Sequence, residues 1–489
     1  MRRMEKKMMI SNYGYHRVLL IAFVFSFSVT FLCLLRHVRF DSYLANNYVK
    51  VSESKLNSKP SCNGRYIYVQ ELPSRFNKDL LQHCETVFTS WTDRNMCVHL
   101  MNHGIGPRVN DSETFGVLTN GSWYLTNSYS LSVIFHNRMM KYDCLTQHSS
   151  MASAVYLPYY AGLDASRNLW SKSLFLRDKS GQEFVEWVKQ TPEWKRMWGM
   201  DHFIVSGRTG WDFRREWESE AAWGTRLRLL PESNNMSMLS MEATIWNNDY
   251  AIPYPTAFHP SHDREVLQWQ ENVRKKKRQY LFSFAGGPRA DNPQTLRAKV
   301  IEECHSYNRL CKLLSCGYNP DGSIKCDHPS VVMKLLQDSV FCLQPRGDSF
   351  TRRSFFDSIL AGCIPVLFHP GSAYIQYLWY LPKDHNKYSV YIPVEDEKSW
   401  RLGNVTATLL AIPERRIEAM REEVITLIPK IIYADPRVRL EMEDAFDVAV
   451  KGILERIERV RSEVSKGRDP SVSFALRDTG KFLLSRYKA

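Results

Sequence analysis

The stretch FCLQPRGDSFTRRSFFDSILAGCIPV, residues 341–366, reads as strand, loop, helix and strand. Its two apolar runs, Val340 to Leu343 and Ile364 to Phe368, are short, β-branched or aromatic, and bounded by turn residues, as buried strands are. Between them, Asp348 or Ser349 is placed to cap a helix that begins near Thr351, and the free N–H groups of a helix start bind phosphate. Arg346, Arg352 and Arg353 add positive charge around that point, with Gly347 in the loop. Gly362 permits the tight turn into the second strand. Taken alone, the segment also fits a capped surface helix with ordinary arginines.

Working outward, Tyr66 to Val69, Ala154 to Pro158 and His202 to Ser206 are further short strand candidates, with helical patterns such as Gln182 to Lys189 between them. Strands alternating with helices favour a parallel sheet. The polar, charged run from Pro260 to Arg278 precedes a new strand, Tyr280 to Phe284, and reads as a solvated boundary between two α/β domains. Glu414 to Ile432 and Ala445 to Val464 are long amphipathic patterns that close the chain as helices. The expected class is α/β, with two doubly wound Rossmann-like domains facing a cleft: an N-terminal domain over 63–265, a C-terminal domain over 275–432, and a helical segment over 433–489.

The first sixty residues differ. Val18 to Leu35 is uncharged and mostly apolar, just long enough to span a bilayer. Five basic residues (Arg2, Arg3, Lys6, Lys7, Arg17) precede it and Arg36 and Arg39 follow. The positive-inside rule predicts a cytosolic tail (1–17), a transmembrane signal anchor (18–35) and a lumenal stem (36–62), a type II arrangement. Of eleven cysteines, ten lie beyond the span, an even number that suits disulfides in an oxidising compartment. Cys304, Cys311, Cys316 and Cys326 lack the paired spacing of zinc ligands, so disulfides are expected there too. Sequons at Asn110, Asn120, Asn235 and Asn404 are glycosylation candidates on a lumenal chain. Residues 1–40 carry much of the +13 net charge. Without a stripe of basic residues interleaved with aromatics, nucleic acid is not an expected partner.

Asp357, five residues before Gly362, gives the segment a second likeness. It resembles the donor-binding half of GT-B glycosyltransferases, which implies that Asp357 holds ribose hydroxyls; an acid on an exposed helix face is the other reading. The wider chain resembles the plant exostosin-like family, most closely its xyloglucan galactosyltransferase clade. The residues that carry this are Tyr66 to Asn77, Leu157 to Gly162, Trp198 to Ser206, Phe282 to Arg289 and Gly347 to Val366. Gln70-Glu71 departs from the Tyr-Asp common in that family but keeps the acid. The resemblance implies a GT-B fold, a UDP-sugar donor, an inverting transfer of galactose to xylosyl side chains of xyloglucan, and no metal. It also implies a Golgi membrane location and association with other wall glycosyltransferases.

The sequence adds to this. No Asp-x-Asp pair, the metal-holding signature of GT-A enzymes, occurs in the chain. Charge on a leaving UDP must then be met by side chains and helix ends, with Arg289, Arg346, Arg352 and Arg353 as candidates. The adjacent arginines are not both expected to face one ligand. An inverting transfer needs a general base; Glu71 after the first strand and Asp201 or His202 before another are candidates. Glu71 also fits a loop cap, and Asp201-His202 a buried hydrogen-bonded pair. Trp123, Tyr124, Trp211 and Trp223 are candidate stacking surfaces for an acceptor sugar. Transfer of galacturonic acid or arabinose keeps the same fold, and a membrane-anchored glycan-binding scaffold is the reading from outside the enzymes.

Overall fold

Five strands form a first sheet: β1 (Tyr66–Val69), β2 (Ala152–Tyr156), β3 (His202–Val205), β4 (Ser237–Ser240) and β5 (Asp249–Ala251). Five more form a second: β6 (Tyr280–Gly286), β7 (Cys311–Ser315), β8 (Ser339–Gln344), β9 (Ile364–Leu367) and β10 (Val390–Tyr391). The structure, a computed structural model, describes residues 62–88, 96–114, 116–119, 121–246, 248–287, 295–317, 326–396, 401–402 and 404–469. The expected tail, anchor and stem up to residue 61, together with Asn120 and Arg289, lie outside the described residues. Among the described residues no helix is long and apolar enough to cross a membrane. From Gly64 onward the chain forms one compact unit. Its principal helices are α1 (Leu131–Met139), α2 (Ala161–Asn168), α3 (Leu174–Val188), α4 (Asp263–Lys275), α5 (Leu296–Ser306), α6 (Pro329–Gln337), α7 (Arg353–Leu360), α8 (Glu414–Thr426) and α9 (Ala445–Ser465).

Both sheets are parallel throughout. The second has the order β10-β9-β8-β6-β7, so the chain leaves β6 to one side for β7 and returns to the other for β8. That reversal is the mark of a doubly wound sheet. The first sheet runs β1-β2-β3-β4-β5 without reversal, so the doubly wound topology expected of both halves is found only in the second. Its two faces are covered all the same, because strands such as β3 and β4 are buried at every position and must meet apolar partners on both sides. Val155, Ile204 and Met238 share one apolar core with α2 and α3. Ala154, Tyr156, Phe203 and Val205 share the other with α1 and α9.

The last helix therefore returns to the first sheet rather than standing apart. Phe446 of α9 packs on Phe135 of α1 with ring centroids 4.8 Å apart. Arg138 of α1 pairs with Asp444 at 3.1 Å, both side chains buried. Asp444 also caps α9 by accepting from the Phe446 and Asp447 N–H groups, so the buried pair has hydrogen-bond partners beyond itself.

The run from Pro260 to Arg278, read from sequence as a solvated boundary, is instead largely α4. Val266, Trp269 and Val273 sit at helical spacing on its buried face, and Trp269 donates through Nε1 to the Leu360 carbonyl at 2.8 Å. The dense charge of Arg274 to Lys277 masks this period, since it falls on the opposite face and the helix end. Arg278 is no surface residue either: it donates to the carbonyls of Leu336, Gln337, Ala361 and Gly362, closing the C-terminal ends of α6 and α7. Ten cysteines are disulfide-bonded. The four weighed as zinc ligands pair as Cys304–Cys311 and Cys316–Cys326, and Cys342–Cys363 ties β8 to the start of β9.

Burial pushes His136, which meets the Tyr160 hydroxyl at 2.7 Å, down to about 4, and pushes buried His259 down to about 4 as well. An unfolded chain protonates both near 6.5. Between about 6.5 and 4 the unfolded state thus binds more protons, and stability falls as pH drops through that window. Thermal unfolding followed from pH 7 to pH 4 is expected to show this slope, reduced in His136→Gln.

Candidate functional site

Loops beyond the C-terminal ends of parallel strands line the ligand crevice, which opens where strand order reverses. In the second sheet that point lies between β6 and β8. Gly286 ends β6 and Gly287 follows it, and the segment Pro345 to Arg352 follows β8. A Cβ on Gly286 would strike the Phe284 ring, whereas a Cβ on Gly287 would meet, among the described residues beyond its chain neighbours, only the Cys316 carbonyl, at 3.8 Å. The Gly287 backbone is therefore open to close approach.

α7 starts at Arg353, two residues later than expected, with Arg352 at the N-cap and no capping side chain. Asp348 and Ser349 do not cap it. The Gly347 N–H donates to the Ser349 carbonyl at 3.2 Å, a tight turn that leaves Asp348 exposed and ends before the helix begins. A helix start without a side-chain cap keeps donors and positive dipole for an anion.

The four residues that follow divide their roles. Thr351 is fully buried, and both its N–H and its hydroxyl donate to Glu242 Oε2, at 2.8 Å and 2.6 Å. Its polar atoms face the first sheet, not a phosphate, so the donor-site expectation for Thr351 is corrected to a loop anchor. Arg352 lies over Gly347, where any Cβ would collide with its guanidinium, and its side chain makes no hydrogen bond or ion pair among the described residues. Arg353 turns away, donating to the Thr126 carbonyl at 2.6 Å and lying 3.5 Å from Asp357. Only one of the adjacent arginines is thus left for a ligand. Burial pushes the Asp357 carboxyl up, and Arg353 draws it partly back.

Beside this loop, the Arg346 guanidinium sits 5.5 Å from the Phe350 ring centroid, and Phe350 stacks on His369 at 4.3 Å. His369 lies two residues beyond the C-terminal end of β9 and so belongs to the same crevice. Its Nδ1 accepts the Gly371 N–H at 2.9 Å, which places the ring proton on Nε2. Burial, helped by Arg346, pushes His369 down to about 4, leaving a neutral donor at neutral pH.

The first sheet contributes Glu242, two residues beyond β4 and 0% exposed. Besides Thr351 it accepts from Trp211 Nε1 at 2.9 Å, and Tyr254 meets the Thr351 hydroxyl at 3.0 Å. The flanking residues join the halves too: the Tyr377 hydroxyl donates to the Met241 carbonyl at 2.8 Å, and the Ala243 N–H donates to Gln376 at 2.8 Å.

Of the proposed bases, Glu71 is exposed just past the C-terminal end of β1. Asp201 and His202 are buried at the opposite, N-terminal end of β3, bonded at 2.7 Å, and Arg461 of α9 reaches Asp201 at 3.3 Å. Burial alone would raise the Asp201 carboxyl, but His202, Arg461 and Arg196 hold it below its usual range. This pair fastens α9 to the sheet and is not placed for catalysis. Trp123 and Tyr124 are buried in the core, which removes them as stacking surfaces; Trp211 faces Glu242, and Trp223 is 43% exposed. Among the sequons, Asn110 and Asn404 are exposed, while Asn235 donates through Nδ2 to the Trp198 carbonyl at 2.8 Å.

Glu242 and His369 escaped the sequence reading for different reasons. β4 is the polar-interrupted Ser237-Met-Leu-Ser240, without a recognisable strand pattern, so its end was not visible. His369 follows a strand that was legible, and the rule that strand ends face the crevice was enough to find it.

Two parallel sheets with an uncapped helix start at the switch point give an arrangement that can receive a phosphate-bearing ligand. The chain belongs to the exostosin GT47 family of glycosyltransferases: the Exostosin GT47 domain matches residues 61–409. It is 54% identical over 399 residues to the probable xyloglucan galactosyltransferase GT14 of Arabidopsis thaliana, covering 81% of this chain and 75% of that one. It is 48% identical over 440 residues to the xyloglucan galactosyltransferase MUR3 of the same plant, covering 90% and 70%. The Arabidopsis xyloglucan-specific galacturonosyltransferase 1 is 39% identical over 422 residues, covering 85% and 61%.

Proposed function

We propose that the chain transfers galactose from UDP-galactose to xylosyl side chains of xyloglucan, with inversion. The observation that carries the reading is the likeness over most of the chain to relatives named for that reaction, together with an uncapped α7 start flanked by Arg352 at the switch point. In this reading the diphosphate lies against the α7 start, with Arg352, Arg346 and the His369 Nε2 proton as its cationic and neutral donors. Asp357 accepts from the ribose hydroxyls. Glu71, exposed at a strand end of the acceptor half, takes the proton of the attacking xylosyl hydroxyl. The enzyme acts in the Golgi lumen, anchored through Val18 to Leu35.

A panel of UDP-galactose, UDP-galacturonic acid and UDP-arabinose offered with xylosylated gluco-oligosaccharides tests this. A product heavier by one hexose, formed only with UDP-galactose, is the expected outcome; a galacturonic acid or pentose increment overturns the choice of sugar. Activity is expected to survive EDTA, because side chains and the helix start meet the leaving charge. Full loss in EDTA with recovery on adding manganese would refute that part.

A further inference from the structure

We propose that Trp170 and Trp223 form a stacking platform for the glucan backbone of the acceptor, beside the transfer site. The inference rests on the reading above and adds where a polymeric acceptor is held. The two rings come from separate loops, one after α2 and one after β3, yet stand edge to face with centroids 4.7 Å apart. They are 39% and 43% exposed. Two adjoining exposed indoles offer ring surface to a ligand, and holding them in place beforehand lowers the ordering cost of binding.

They are held in place. Arg177 of α3, itself buried, donates to the Ser171 carbonyl at 2.6 Å and to the Ala222 and Glu220 carbonyls at 2.6 Å and 2.9 Å. One guanidinium thus fastens the loop carrying Trp170 to the loop carrying Trp223. The Trp223 indole N–H donates to Asp212, whose other oxygen accepts from Arg208 at 3.2 Å. Arg208 belongs to the loop at the C-terminal end of β3, the edge that faces the crevice.

Continuity with the transfer site runs through consecutive residues. Trp211 points to Glu242, which holds the phosphate loop through Thr351, and Asp212 orients Trp223. A β-glucan chain presents flat C–H faces that stack on such rings. The rigid pair therefore suits a sugar backbone lying beside the branch that receives galactose.

The test uses the full chain and calorimetric or fluorescence titration with xylosylated gluco-oligosaccharides, and separately with UDP. The Trp170→Ala/Trp223→Ala double variant is expected to bind the oligosaccharide at least about tenfold more weakly, with unchanged affinity for UDP. Tyrosine at both positions should restore most of the loss, since it keeps a ring to stack. Unchanged oligosaccharide affinity in the alanine variant overturns the proposal. So does a shift in oligomeric state without loss of oligosaccharide binding, or loss of oligosaccharide and UDP binding together in both the alanine and tyrosine variants. If the unaltered chain binds no xylosylated glucan at all, the proposed acceptor itself fails, a result distinct from all of these.

Discussion

Glu242→Gln is expected to lower kcat/KM by about two orders of magnitude, the largest effect of any conservative change in the site. All three groups that meet this carboxylate are donors: the Thr351 N–H and hydroxyl at Oε2, and the Trp211 indole N–H at Oε1. An amide has only one acceptor oxygen. Whichever way it turns, an NH2 group faces a donor inside a fully buried site, and a group left unpaired there costs roughly 1–3 kcal/mol, more when a charge-assisted bond is lost. The damage falls on function because Thr351 is the last residue of the loop before Arg352 and α7. If that loop is not drawn against the first half, the anion site loses its placement. Trp211→Phe leaves both bonds from Thr351 to Glu242 in place and should have a smaller effect. Steady-state kinetics with both substrates, beside a melting curve, decide the matter: activity within about threefold of the unaltered enzyme would mean that Glu242 does not position the loop.

The second half of the molecule was far more legible in sequence than the first, for a physical reason. β8, α7 and β9 are contiguous, apolar and punctuated by glycine, so local pattern and tertiary role agree. The first sheet depends on pairings that sequence does not display. β4 and β5 are short and polar-interrupted, and one face of the sheet is covered by α9, which lies about two hundred residues further along the chain. α4 was misread because its exposed charges are concentrated at one end. Within the site, the cationic loop was visible as residue types, but the division of labour among its residues was not. Whether Thr351 serves a phosphate or Glu242, and whether Arg352 or Arg353 faces outward, depends on partners from the first half of the chain. The exclusion of Asp201 and His202 likewise needed the strand direction, since the two ends of β3 carry opposite functional meaning.

Arg352→Ala is expected to weaken UDP binding by about 1.5–3 kcal/mol, roughly 10- to 150-fold, with little change in thermal stability. The argument rests on the contrast with its neighbour. Arg353 is committed to the Thr126 carbonyl and to Asp357, so Arg353→Ala should destabilise the fold and release a buried carboxylate. Arg352 has no such commitment among the described residues, and its guanidinium rests over Gly347 at the entrance to α7. An arginine with no ion pair costs the free protein little to remove, but its charge adds to that of the helix start when a diphosphate arrives. Gly347→Ala should imitate the defect from the other side, because the new methyl displaces the guanidinium from where it lies. Isothermal titration with UDP at two salt concentrations separates the roles: Arg352→Ala should lose affinity and much of the salt dependence, since fewer charges are screened. UDP affinity unchanged in Arg352→Ala would place the diphosphate elsewhere and leave the uncapped start of α7 without its ligand.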